Sequence, residues 1–315
     1  MPEPTNGPRI GRTDLLMILT VLLWAVNVSV LKIGLRSLSP HGFNAVRLGL
    51  ASAAYLAVLA ASRGKFRFGR SGDFWKAAGL GLLGITSYQV FFIQALARMN
   101  ASTASVLMGT SPVFIAILAT AIGKERISLA AWMGIVLSFA GCVLVVSGEN
   151  GGFALSGEAM RGAVLILLAN VCWAGYTVFS KPVLERNSPF LLAAVGTIAG
   201  TLVYLPFAAS SLAAVPWTRI PWQGVGAILY AGLVAIFLCF VLWYKSVQAV
   251  GSAKTGVYGN LTPVAAIFFA GLVLGERLTA LQAAGAAVTL AGVYLTRAGY
   301  RFFERKGARR SVRTG

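Results

Sequence analysis

Ten runs of about twenty apolar residues divide the chain, and their length constrains the fold more than any motif does. In hydrocarbon there is no water to pair with the backbone, so each N–H and C=O must be satisfied within its own segment. A helix of roughly 20 residues does this across a lipid core about 30 Å thick. The runs lie near 14–31, 42–61, 75–96, 102–122, 129–147, 160–180, 190–210, 222–244, 252–273 and 279–297, joined by short linkers. With 57% hydrophobic and 11% charged residues, the chain falls outside the range of soluble domains, which carry about 25% charge. The first run follows Arg9 and Arg12 as a leader peptide's would. It continues through Trp24, Asn27 and Lys32 without a small-x-small cleavage site, and is read as a retained span. The expected class is an all-α integral membrane protein of ten transmembrane helices.

The net charge of +18 does not describe a nucleic-acid-binding face, because the basic residues sit in the gaps between apolar runs. Placing the N-terminus inside puts 20 Lys and Arg on the cytoplasmic side and 6 on the other, with Arg47 inside the second run. Cytoplasmic loops hold such an excess, so the topology is N-in/C-in. The basic tail, 299–315, then faces anionic lipid of the inner leaflet. Cys142, Cys172 and Cys239 lie within apolar runs, form no CxxC pair, and read as small buried hydrophobes.

The chain repeats itself. At an offset of 149, Trp24-Ala25, Lys32, Leu35, Ser39-Pro40 and Ala45-Val46 fall on Trp173-Ala174, Lys181, Leu184, Ser188-Pro189 and Ala194-Val195. At an offset of 151, Pro112-Val113, Glu125-Arg126, Gly134 and Ala140-Gly141 fall on Pro263-Val264, Glu276-Arg277, Gly285 and Ala291-Gly292. Each half holds five runs, and five is odd, so the second half starts on the opposite side of the membrane. Two inverted repeats of this kind open a central site to each side in turn in secondary transporters.

The paired Trp24-Ala25-Val26-Asn27 and Trp173-Ala174-Gly175-Tyr176 segments, the proline-bearing fourth and ninth runs, and Gly275-Glu276-Arg277 resemble the drug/metabolite transporter superfamily, in its EamA-type permeases. The first copy departs slightly, reading Gly123-Lys124-Glu125-Arg126. The resemblance implies two five-helix repeats, over 12–148 and 160–298, with a central cavity between them. It also implies export of amino acids and other small metabolites, and it does not fix the substrate.

Polar side chains are costly inside lipid, so those within runs mark a candidate pathway. Trp24 and Asn27 are three apart on one helix face, as are their equivalents Trp173 and Tyr176, with Asn170 one turn earlier. Aromatic faces offer stacking and cation–π contact, and amides both donate and accept, which suits a zwitterionic or aromatic metabolite. Helix–helix contact by the same residues is the open alternative. Tyr88 and Gln89 in the third run and Tyr258 and Asn260 in the ninth complete the expected substrate-binding set. Pro112 and Pro263 each remove an i−4 hydrogen bond and are expected to mark hinges or half-helix ends, a static kink being the alternative. Arg47, whose equivalent is Gly196, is expected to reach the outer interface, with a hold on a substrate carboxylate left open. Lys32 and Lys181 are expected to meet terminal carbonyls, and His41 to lie solvated in an outer loop.

All nine acidic residues fall at run ends, in loops or in tails, so no mid-membrane carboxylate relay is expected. Gly79, Gly81 and Gly84 spell the G-x-G-x-x-G of dinucleotide sites, but within an apolar run they read as close helix packing. The loops hold no cluster of His, Asp, Glu or Cys that suits an enzyme, a metal or a cofactor. The expected function is a secondary permease of the inner (plasma) membrane. It moves small organic metabolites, amino acids or related compounds, outward by alternating access. Uptake of a vitamin-like or aromatic compound, or multidrug efflux, is the alternative. The expected partners are a small-molecule substrate and membrane lipid, with no nucleic acid. Monomer and homodimer both fit.

Overall fold

The computed structural model describes residues 12–121, 129–149, 157–250, 255, 258, 259 and 261–311. Among these every regular element is helical. Helices α1 (Arg12–Leu35) and α2 (Pro40–Ala61) are continuous. The third segment, Ser71–Arg98, consists of α3 (Ser71–Gly81), a π-helical stretch (Leu82–Ser87) and α4 (Tyr88–Arg98). The fourth is broken into α5 (Ala101–Met108) and α6 (Ser111–Ala121), and α7 (Leu129–Glu149) ends the first half. The second half runs through α8 (Glu158–Leu184), α9 (Pro189–Ala213), α10 (Trp222–Leu229), a second π-helical stretch (Tyr230–Leu238), α11 (Cys239–Val250), α12 (Leu261–Leu274) and α13 (Ala280–Ser311). Among the described residues seven helices are long and apolar enough to cross a membrane. Ala101–Ile115, Leu261–Leu274 and Ala280–Thr296 are apolar but shorter.

Two departures from the sequence expectation are informative. The fourth run is not one helix. Its break falls at Gly109 and Thr110, which places Pro112 in the first turn of α6, where its missing N–H has no intrahelical acceptor to lose. Pro263 likewise sits in the first turn of α12. Pro112 therefore starts a half-helix instead of kinking a whole one, and Pro263 stands at a helix start. At the other end of the chain, α13 continues to Ser311, so much of the basic segment after 298 extends the last helix.

The two halves are joined by contacts between repeat equivalents. Helices α7 and α13 pack antiparallel, with Gly134 against Thr296, Gly141 against Thr289 and Gly148 against Gln282, each seven-residue step forward met by seven back. Gly134 meets Gly292 O while Gly141 meets Gly285 O, a reciprocal pair at the 151-residue offset. Between α2 and α9, Ser52 Oγ lies 2.9 Å from its own equivalent, Thr201 Oγ1, and ten residues back along α2, Gly42 approaches Ser211 O. A surface that meets its own copy reciprocally requires a two-fold axis. Because the paired helices are antiparallel, that axis runs perpendicular to them.

Glycines make this seam possible. Apolar packing against lipid gives helices no preference for each other, so association relies on small residues that let backbones approach. Of the three glycines in the dinucleotide-like pattern, Gly81 lies against the Gly196 backbone and Gly84 against the Tyr176 ring, while Gly79 faces open space.

Polar ties hold the helix ends. The Glu276 carboxylate caps α5, accepting from Ala101 N at 2.8 Å, Ser102 N at 2.9 Å and Ser102 Oγ at 2.7 Å. Lys32 Nζ donates to Leu96 O and Met99 O, both at 2.9 Å, so it meets terminal carbonyls of α4 and not those of its own helix. Elsewhere, buried Asp73 accepts from Arg186 Nη2 at 3.1 Å and from Asn187 Nδ2 at 2.8 Å. That bond raises the Arg186 pKa above its ordinary value. His41 is half-buried, with Nδ1 2.8 Å from the Tyr204 hydroxyl. It belongs to the first turn of α2 and is not a solvated loop residue, because the helix begins at Pro40.

Two stability predictions follow from these contacts. In Gly141→Ala the added Cβ runs into the Thr289 backbone and lies within 2.7 Å of Gly285 O. It should cost about 1–3 kcal/mol, read as a lowered thermal midpoint in detergent, while Gly79→Ala, with open space around it, should leave the midpoint nearly unchanged. Glu276→Ala should cost about 0.5–2 kcal/mol by removing the cap of α5, measured in the same assay.

Candidate functional site

A cavity of about 120 Å³ lies between the halves, large enough for several waters or a small solute. Six aromatic side chains stand in its wall: Trp24 from α1, Tyr88 and Phe92 from α4, Trp173 from α8, and Phe240 and Trp243 from α11. Tyr88 stacks on Phe92, with ring planes 15° apart, and the tryptophans pack edge to face or tilted. Trp24 and Trp173, equivalents in the repeat, stand 6.1 Å apart at 85°, and Trp243 lies 5.2 Å from Trp24 and 5.9 Å from Trp173. Such packing fixes the rings and leaves their faces to a ligand.

Both backbone irregularities reach this cavity. Tyr88 and Gln89 follow directly on the first π-helical stretch, and Ala235 and Ile236 belong to the second. The wider π turn misaligns carbonyls from the helix ladder, and side chains use them. Trp24 Nε1 donates to Ala235 O at 2.9 Å, and the Tyr55 hydroxyl donates to Phe237 O at 2.9 Å. The break between α5 and α6 meets the start of α12 here as well. Met108, Gly109, Ser111, Gly259, Thr262 and Pro263 line the cavity, and a Cβ at Gly109 would lie 2.6 Å from the Pro263 ring.

Of the residues expected from sequence, Trp24, Asn27, Tyr88, Gln89, Asn170, Trp173 and Pro263 are brought together in this wall. Asn170 Nδ2 donates to Leu107 O at 2.8 Å and to Thr110 Oγ1 at 3.0 Å, bracing the break between α5 and α6. Asn27 Oδ1 is buried with no hydrogen-bond donor. Tyr176 is displaced from the wall: it is 1% exposed and packs behind it on Trp173, Phe240 and Tyr244, its ring filling the space at Gly84. Tyr258 lies apart, its hydroxyl bonded to Asp14. Pro112 is outside the lining, and Asn260 lies outside the described residues.

Arg47 corrects the expectation of an interfacial cation. It is 1% exposed and turned inward onto the cavity, with Nη2 donating to Gln89 Oε1 and Nε to Asn44 Oδ1, each at 2.7 Å. Its α2 face packs against the second π stretch, where Gly232 approaches Arg47 O, so a path to the interface is blocked by protein. Sequence reasoning also passed over Phe240 and Trp243. Their i, i+3 spacing was the available signal, lost in a run that is apolar on every side. No cluster of three or more His, Cys, Asp or Glu suited to a metal ion occurs among the described residues.

The EamA-like transporter family matches this chain twice, over residues 11–147 and 160–298. An uncharacterized transporter of Archaeoglobus fulgidus is 35% identical over 289 residues, 91% of this chain and 98% of its own length. A protein of Streptantibioticus cattleyicolor named a probable terminal-alkyne amino-acid exporter is 30% identical over 89% of this chain and 91% of its own. One of Salmonella typhimurium, named a probable amino-acid metabolite efflux pump, is 26% identical over 91% and 95%. A crystal structure of an 18% identical protein superposes with a TM-score of 0.65 over 93% of this chain and 98% of that one, which shows the fold. The chain is a multi-pass transporter of the inner (plasma) membrane and belongs to the EamA-like transporter family.

Proposed function

We propose that the protein is a secondary permease that exports amino acids or related small metabolites by alternating access. The observation that carries this reading is the cavity itself. It lies between two antiparallel-related halves, draws Trp24 from one and Trp173 from the other, and is bordered by the break in the fourth segment and by the start of α12. Discontinuous helices at the interface of inverted repeats form the solute sites of transporters built this way. Two relatives named for amino-acid export or efflux support the substrate class.

On this reading the chain crosses the membrane ten times with both termini inside, as the Lys and Arg bias supports. The five-helix halves cover 12–148 and 160–298, and the basic segment 299–315 emerges at the anionic cytoplasmic leaflet. Trp24, Asn27, Tyr88, Gln89, Asn170 and Trp173 contact solute, with Tyr176 supporting Trp173 from behind. The starts of α6 and α12, at Pro112 and Pro263, are the hinges. The ties of Asp73 to Arg186 and Asn187, and of Glu276 and Lys32 to the α4–α5 junction, sit at helix ends. Alternating access breaks one set while the other holds.

Counterflow in proteoliposomes with a pool of labelled amino acids tests this. Wild type should exchange label without altering the solute chemically. Asn27→Ala and Trp173→Ala should each slow exchange about tenfold, the effect of losing one buried polar or aromatic contact. Exchange that survives both changes removes these residues from the site, and a chemically altered solute removes the permease reading.

A further inference from the structure

Arg47 is a buried cation in the cavity wall, and nothing it touches carries negative charge. Its side chain is 1% exposed, its two hydrogen bonds go to the neutral amides of Asn44 and Gln89, and its Cζ lies 6.0 Å from the Phe43 ring centroid. The ion pairs found among the described residues lie elsewhere, with Asp73 and Glu158. Among the described residues no acidic side chain and no second Lys or Arg lines the cavity. A guanidinium carries five N–H donors, so the two bonds to Asn44 and Gln89 leave three, on Nη1 and Nη2.

A charge taken out of water without a counter-charge is retained only against a large desolvation cost. The fold does not demand it. The equivalent position in the second half is Gly196, which carries no side chain and packs against the backbone of Ala77 and Gly81. The two amides instead fix the orientation of the guanidinium while leaving its charge unneutralised, an arrangement suited to an anion that arrives and departs.

We propose that Arg47 is the anchor for a carboxylate on the transported solute, the free edge of its guanidinium pairing with both carboxylate oxygens while the rest of the solute lies against Trp24, Trp173 and Trp243. This rests on the cavity being the transport site and narrows the solute to a monocarboxylate. A planar carboxylate matches the guanidinium fork. A dianion such as phosphate would call for a second cation, and the described residues of the wall supply none. Gln89 is a positioning residue on this account, holding the fork toward the cavity.

The test uses the full-length protein in detergent, with cavity tryptophan fluorescence and thermal midpoint as readouts. The probes are L-leucine and L-phenylalanine, each beside its amide, which keeps the amino group and side chain but loses the carboxylate. The acids should bind and raise the midpoint, and the amides should bind at least about tenfold more weakly. Arg47→Gln should abolish the difference between acid and amide, and Arg47→Lys should retain part of it, since an ammonium keeps the charge but loses the fork. If Arg47→Gln lowers the midpoint without ligand, the acid–amide contrast in wild type and in Arg47→Lys decides. Equal binding of acid and amide, undiminished acid binding by Arg47→Gln, or no binding of either acid overturns the proposal. Counterflow with the same probes separates the two readings. Acid binding that depends on Arg47 without solute movement keeps the anchor and removes the permease, while an amide moved as fast as its acid keeps the permease and removes the anchor.

Discussion

The need to pair every backbone N–H and C=O without water governs this molecule. It explains why regular structure among the described residues is helical throughout, and also why departures from the helix are confined. The two π-helical stretches and the break at Gly109 and Thr110 border the cavity, and their carbonyls are taken by side chains: Ala235 O by Trp24, Phe237 O by Tyr55, Leu107 O by Asn170. Irregular backbone is tolerated at membrane depth only where protein or a water-filled space surrounds it. The site is thus located by the places where the helix rule is relaxed.

A second principle shapes the packing. Apolar side chains are as comfortable in lipid as against each other, so the seam between α7 and α13 depends on what side chains leave out. Gly134, Gly141, Gly285 and Gly292 bring the two backbones together, and hydroxyls of Ser138, Thr289 and Thr296 fold back on their own helices, to Gly134 O, Gly285 O and Gly292 O. The aromatic cavity wall is the opposite solution, bulky rings held edge to face where space must be kept. Close contact at the seam and open volume in the wall come from the same repeat.

Much of this was legible in the chain. Hydrophobic run length indicated the helices, and the offsets of 149 and 151 gave the equivalences that underlie the contact of Ser52 with Thr201 and the reciprocal contacts of Gly134 with Gly292 and Gly141 with Gly285. Trp24, Asn27, Asn170 and Trp173 stood out because polar and aromatic groups recurring on one face of an apolar run need a reason. The π turns were not legible, since one extra residue per turn leaves no mark on composition. Tyr176 was assigned to the wall because it shares a face with Trp173, but helix periodicity cannot distinguish a ring that faces a cavity from one that backs it. Arg47 was misplaced for a related reason. Its distance from the helix end suggested an outlet to water, and only the packing of the second π stretch against α2 shows that the outlet is closed.

The reciprocal seam has a consequence for how such a chain can change over time. Were the two halves separate identical polypeptides inserted in opposite senses, every substitution would appear twice, once on each side of the axis. A cation introduced at position 47 would then also appear at its mate, where Gly196 now lets the Gly81 backbone approach, and the tight contact would be lost along with the symmetry. Joined in one chain, the halves are free to differ. One copy keeps the glycine that packs, and the other carries the charge.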